Sequence, residues 1–66
     1  MSISVNGNDA EYVEGESVNR LLRRMKYNFP LVIVKIDGRI IEREDFIRTK
    51  IHDNAKVDVI HLTSGG

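Results

Sequence analysis

The sequence closes with His-Leu-Thr-Ser-Gly-Gly, and its last two residues, Gly65 and Gly66, are the ones whose type and placement best suit chemistry. With glycine at about 7% of average usage, two terminal glycines arise by chance in roughly one chain in 200. Lacking Cβ, Gly65 and Gly66 adopt backbone angles closed to other residues and pass through a channel too narrow for side chains. Thr63, Ser64, Gly65 and Gly66 together reach at most about 14 Å. That is enough to enter a partner's active site while a globular body stays outside. The group delivered there is a carboxylate, a poor electrophile whose charge repels nucleophiles and whose oxide is a bad leaving group. It becomes an acyl donor only after activation. The plainer alternative is an inert, frayed end.

Elsewhere the chain offers no catalytic constellation. It has no cysteine, hence no thiol nucleophile, disulfide or soft metal site, and this fits a reducing cytosol. No glycine-rich phosphate loop is present. His52 and His61 match no ligand spacing and read as surface or loop residues. Asp9, Glu11 and Glu14 lack a general-acid partner and read as solvated. Ten basic side chains balance ten acidic ones, unlike the positive footprint of a nucleic-acid binder. Arg20, Arg23, Arg24 and Lys26 cluster locally and read as the solvated face of a helix, with docking of an acidic partner as the alternative. The N-terminus has neither a basic n-region nor an apolar h-region, and no segment reaches membrane-spanning length. A cytoplasmic protein, binding neither nucleic acid nor membrane, is expected.

Sixty-six residues make one domain. Ordering them costs on the order of 100 kcal/mol at ~1.5 kcal/mol each, so an apolar core must carry the stability. "SISVN" alternates, putting Ile3 and Val5 on one side of a strand. Asn-Gly follows as a tight turn and "AEYVE" as the returning strand, giving a hairpin over residues 2–14. Ser17 caps a helix whose Val18, Leu21, Leu22 and Met25 form one apolar stripe. Arg20 stands where a capping box has a carboxylate, which predicts a weaker helix start. Pro30 ends the following connection. "LVIVKI", Asp-Gly and "RII" form a second hairpin, "EREDFIRTKIHDNA" a turn and loop anchored by Phe46, Ile47 and Ile51, and "KVDVIHL" a last strand. This order predicts an α+β fold, a mixed sheet of about five strands with one main helix across one face.

The first strand ending in Asn6, "EGESVNRLLRRM", "IVKIDGRIIEREDF" and the terminal "TSGG" resemble the ThiS family of sulfur carriers, over essentially the whole chain. The diglycine is shared with molybdopterin synthase small subunits and ubiquitin-like modifiers. The resemblance implies a ubiquitin-like β-grasp in which the last strand lies centrally beside the first. On that reading residues 1–62 are the domain and 63–66 a flexible tail. It also implies that a ThiF-like enzyme, using ATP and Mg²⁺, adenylates the Gly66 carboxylate. Sulfur from a persulfide donor then makes a thiocarboxylate that serves a ThiG-like thiazole synthase. The chain would be a co-substrate, monomeric when free, with no cofactor of its own, and catalysis would belong to its partners. Alternatives within the superfamily are a MoaD-like or tRNA-thiolation carrier and a ubiquitin-like protein modifier; outside it stands a small binding domain with inert glycines.

Alternation along the last strand adds an expectation of its own. If Val57 and Val59 face the helix, Ile60 and Leu62 face the open side of the sheet, just before the tail. Ile33 alternates out of phase with Val32, Val34 and Ile36 and joins them. Ile33, Ile60 and Leu62 are therefore expected to form a docking patch.

Overall fold

The computed structural model describes residues 1–27 and 32–62. Its first element pair is the antiparallel hairpin of β1 (Ser2–Val5) and β2 (Asn8–Glu11). Asn6 and Gly7 turn it with φ of 51° and 83°, and Val5 pairs directly with Asn8. Two consecutive positive φ values give the turn whose twist matches that of its strands, and Asn-Gly tolerates both. Because the turn takes only two residues, Asn8 and Asp9 belong to β2, and the ladder ends earlier than the expected residue 14. Ser2 faces Glu11, and β1 has no partner to offer beyond it. The second hairpin, β3 (Val32–Ile36) and β4 (Arg39–Ile41), repeats the device at Asp37 and Gly38, with φ of 52° and 85°.

The helix α1 (Val18–Arg24) is too short to persist alone, so its stability comes from burying Val18, Leu21 and Leu22 against the sheet. The expected weak start is supported from outside the helix. The Ser17 hydroxyl accepts from the Arg20 amide at 3.3 Å, while the amides of Val18 and Asn19 donate to the carbonyls of Thr49 (2.9 Å) and Phe46 (3.2 Å). Backbone of the 43–51 segment thus satisfies donors that a helix start leaves open. At the other end Lys26 takes a left-handed φ of 63°. Its amide donates to Arg23 and that of Tyr27 to Leu22, closing a Schellman motif without the usual glycine. Pro30 and Leu31 lie outside the described residues.

After β4 comes a single 3₁₀ turn, Arg43–Asp45. Phe46 and Ile51 are buried as anchors, but Ile47 is 72% exposed, contrary to the sequence expectation. Successive residues of such a turn are rotated by roughly 100–120°, so seating Phe46 inward sends Ile47 outward.

The last strand, β5 (Lys56–His61), lies in the middle of the sheet, whose order is β2-β1-β5-β3-β4. It runs parallel to β1 through Ser4↔Lys56 and Val5↔Val57, and antiparallel to β3 from Ile36↔Val57 to Val32↔His61. With α1 across one face, this is the β-grasp expected from the sequence. Val5, Val34 and Val57 meet Val18 and Leu21 there, and all five are fully buried.

Candidate functional site

Strand alternation divides β5 between two environments. Val57 and Val59 are buried under the helix layer; Lys56, Asp58 and Ile60 belong to the opposite, open face. On that face Ile60 is the direct partner of Ile33, Asp58 that of Lys35, and Lys35 in turn that of Ile40. The result is an apolar corner of Ile33 and Ile60, with Ile60 41% exposed and Leu62, one residue beyond β5, 44% exposed. The Lys35–Asp58 pair of opposite charges borders it.

The structure therefore brings Ile33 and Ile60 together as expected and places Leu62 where the chain leaves the sheet. Thr63, Ser64, Gly65 and Gly66 lie outside the described residues. Ile40, 60% exposed and diagonal to Ile33, extends the corner and was not singled out from the sequence. A signal for it existed: a two-residue turn at Asp37-Gly38 sets Ile40 opposite Lys35, on the same face as Ile33.

Asn6, marked in the sequence as the end of the first strand and the start of its turn, has a further role that the sequence did not show. β1 pairs with β5 only as far as Val57, yet the ladder is continued by a side chain. The Asn6 backbone N–H donates to the Val57 carbonyl at 2.9 Å; from its side chain, Oδ1 accepts from the Val59 backbone N–H at 2.7 Å and Nδ2 donates to the Val59 carbonyl at 3.2 Å. A carboxamide presents the same donor and acceptor as a peptide group and stands in for the missing strand residue. Nδ2 also donates to the Tyr27 hydroxyl at 2.9 Å, tying the helix end into the network. These bonds hold β5 immediately before Ile60 and Leu62.

The remaining candidates are dispersed. His52 and His61 sit at opposite ends of the sheet, His61 opposite Val32 and His52 beside the Asp37–Gly38 turn. His52 Nε2 lies 2.6 Å from Asp37 Oδ2, and Nδ1 lies 2.7 Å from the Asp53 carbonyl. Both neighbours are acceptors, which favours the doubly protonated ring, and the Asp37 bond raises the pKa of His52 above its ordinary value. Asp37 is lowered, first by accepting from the Lys56 amide and then by His52. Among the described residues no three His, Asp or Glu side chains converge as a metal site requires.

Of the basic cluster, Arg20, Arg23 and Lys26 are exposed as expected, but Arg24 is not simply solvated. It grips buried Glu16 through Nε and Nη2, both at 2.9 Å, and donates from Nη2 to the Glu11 carbonyl at 2.8 Å. The Glu16 carboxylate raises the Arg24 pKa further and is itself paired where burial would otherwise be costly. Asp9, Glu11 and Glu14 are exposed. No helix among the described residues is long and apolar enough to cross a membrane.

The ThiS family model matches residues 3–66, nearly the whole chain and including the diglycine. The chain belongs to the ThiS family. Two solved structures agree with this membership of the ThiS family. One is the crystal structure of a thiamine biosynthesis protein, ThiS, from Geobacter metallireducens, 31% identical with a TM-score of 0.80 and complete coverage of both chains. The other is an NMR solution structure of a thiamine biosynthesis protein from the same organism, 30% identical with a TM-score of 0.75, covering 100% of this chain and 88% of that one. Compared with curated protein sequences, the chain finds no significant match.

Proposed function

We propose that this ThiS-family chain is a sulfur carrier for formation of the thiamine thiazole, acting as a co-substrate of partner enzymes. The observation that carries the reading is the family match running through Gly66, joined to an apolar corner at the end of the strand that leads there. In this scheme Ile33, Ile60 and Leu62, with Ile40, dock a ThiF-like adenylating enzyme. Thr63 to Gly66 then extend into its active site. A span of about 14 Å separates the docked body from the reacting carbon at most.

The chemistry follows from the weakness of a carboxylate as an electrophile. A Gly66 carboxylate oxygen attacks the α-phosphate of ATP, supported by the partner's Mg²⁺; the acyl-adenylate forms and pyrophosphate leaves. The terminal sulfur of a persulfide attacks the acyl carbon and expels AMP, leaving an acyl disulfide. A second thiolate attacks the other sulfur of that bond, forming a disulfide and releasing the Gly66 thiocarboxylate. The thiocarboxylate sulfur is then transferred to the substrate of a ThiG-like thiazole synthase. None of these steps asks this chain for a general acid, a base or a metal. Its own contribution is a rigid body, a docking corner and a tail without side chains at its last two positions.

ATP–pyrophosphate exchange by the ThiF-like partner tests the activation step. The full chain supports exchange, and the chain lacking Gly66 abolishes it. Undiminished exchange with the shortened chain would contradict the proposed role of Gly66.

A further inference from the structure

On the layer opposite the open sheet face, α1 and the 43–50 segment bound a groove of about 410 Å³. Arg20, Arg23 and Lys50 line it together with Ile47 and Asn19. Its described lining contains no carboxylate, although the whole chain is electrically neutral. Arg20 and Arg23, three residues apart on one helix face, form no ion pair among the described residues, whereas Arg24 next to them is fully engaged with Glu16. Ile47 places a β-branched side chain beside these cations, 72% exposed. Arg20, Arg23, Ile47 and Lys50 are exposed, so the groove is open rather than enclosing, which suits a strip of polypeptide better than a small molecule that would need most of its surface buried.

We propose that this groove docks an acidic protein segment, its carboxylates meeting Arg20, Arg23 and Lys50 and an aliphatic side chain covering Ile47. Three cations in a lining without a carboxylate supply the complementarity, Lys50 donating within it only to the Gly15 carbonyl at 3.3 Å, and arginine favours planar, two-pronged carboxylate contacts. The apolar neighbour adds what a purely ionic surface lacks. Because the groove lies on the helix layer, an occupant there leaves the corner of Ile33, Ile60 and Leu62 free. One body can thus hold two partners at once.

The test uses the full ¹⁵N-labelled chain and an end-blocked synthetic peptide of glutamates interspersed with leucines. Controls are the same peptide with glutamine for glutamate and a short single-stranded oligothymidylate. The expected result is salt-sensitive shifts confined to the amides of Asn19, Arg20, Arg23, Ile47 and Lys50. The paired change R20E/R23E should weaken binding at least about tenfold, I47S should weaken it less, and L62D should leave it unchanged. Should R20E/R23E fail to fold, R20Q/R23Q reads the same loss of charge more gently. The proposal is overturned by an absence of shifts in the groove or by shifts centred on Ile33 and Ile60. Equal binding of the glutamine peptide, or oligothymidylate binding as tightly as the acidic peptide, also overturns it.

Discussion

The two faces of the sheet are built from the same strands with similar residues, yet one is covered and the other is open. Under α1, Val34, Val57 and Val59 are buried and join Leu21 in the core. One residue away along the same strands, half-buried Ile33 pairs with Ile60 across the open face, where Ile40, Ile60 and Leu62 are exposed. Apolarity alone therefore does not distinguish residues that build the core from those left on the surface. What distinguishes them is whether a second layer of this chain covers them. A domain this small has one α-helix among its described residues and covers one face with it, so the other stays open, where the proposed function seats a partner.

The comparison breaks most visibly where the covering layer is damaged. Leu21→Ala should cost about 2–5 kcal/mol, a large share of the stability of so small a domain, seen as a collapse of the thermal or urea midpoint. Asn6→Ala should cost about 1–2 kcal/mol by stranding the Val59 amide and carbonyl. Its specific signature is faster hydrogen exchange at Val59, just before the apolar corner of Ile33 and Ile60, with the covered face otherwise intact.

Leu62→Asp sharpens the contrast from the open side. Folding stability should stay within about 0.5 kcal/mol, while affinity for the adenylating partner, read by calorimetry, falls at least about tenfold. Lys26→Gly reinforces the covering helix instead, replacing a strained left-handed lysine in the Schellman turn and gaining about 0.4–1 kcal/mol. A loss on that change would contradict the capping geometry.

The smallest effect concerns the exposed clasp of His52 and Asp37, at the other end of β3 from Ile33. The His52 pKa is raised, so its contribution is complete below about pH 6.5 and fades as pH rises through the higher folded value. The Asp37 pKa is lowered, so its contribution is complete above about pH 4 and fades as pH falls through the lower folded value. The clasp is thus strongest between those limits. In pH titrations of stability, His52→Gln should flatten the alkaline limb only slightly, and partner affinity should not change.

Much of this fold is legible because its signals are local. Asn6-Gly7 and Asp37-Gly38 announce their turns, alternation assigns Ile3, Val5, Val57 and Val59 to the core, and Ser17 marks the helix start. The central position of β5 is not local: strand periodicity is silent about which strands become neighbours, and the expectation came from family resemblance. Other gaps have the same origin. The grip of Arg24 on Glu16 and the side-chain pairing of Asn6 with Val59 depend on contacts made only after folding. Ile47 was misplaced because hydrophobicity indicates a tendency to be buried, whereas the direction of a tight turn decides which of two adjacent apolar residues goes in. Ile33, Ile60 and Leu62 could be placed on one face by counting residues, and Ile40 was open to the same argument.

The central claim is that Gly66 carries sulfur, and the intact mass of the protein tests it most directly. The protein would be isolated without alkylating agents from cells containing its own activating enzyme. The account predicts a mass increase matching one oxygen replaced by sulfur, localised to the C-terminal peptide so that oxidation of Met1 or Met25 is excluded. An unmodified Gly66 carboxylate in a fully active system would contradict it.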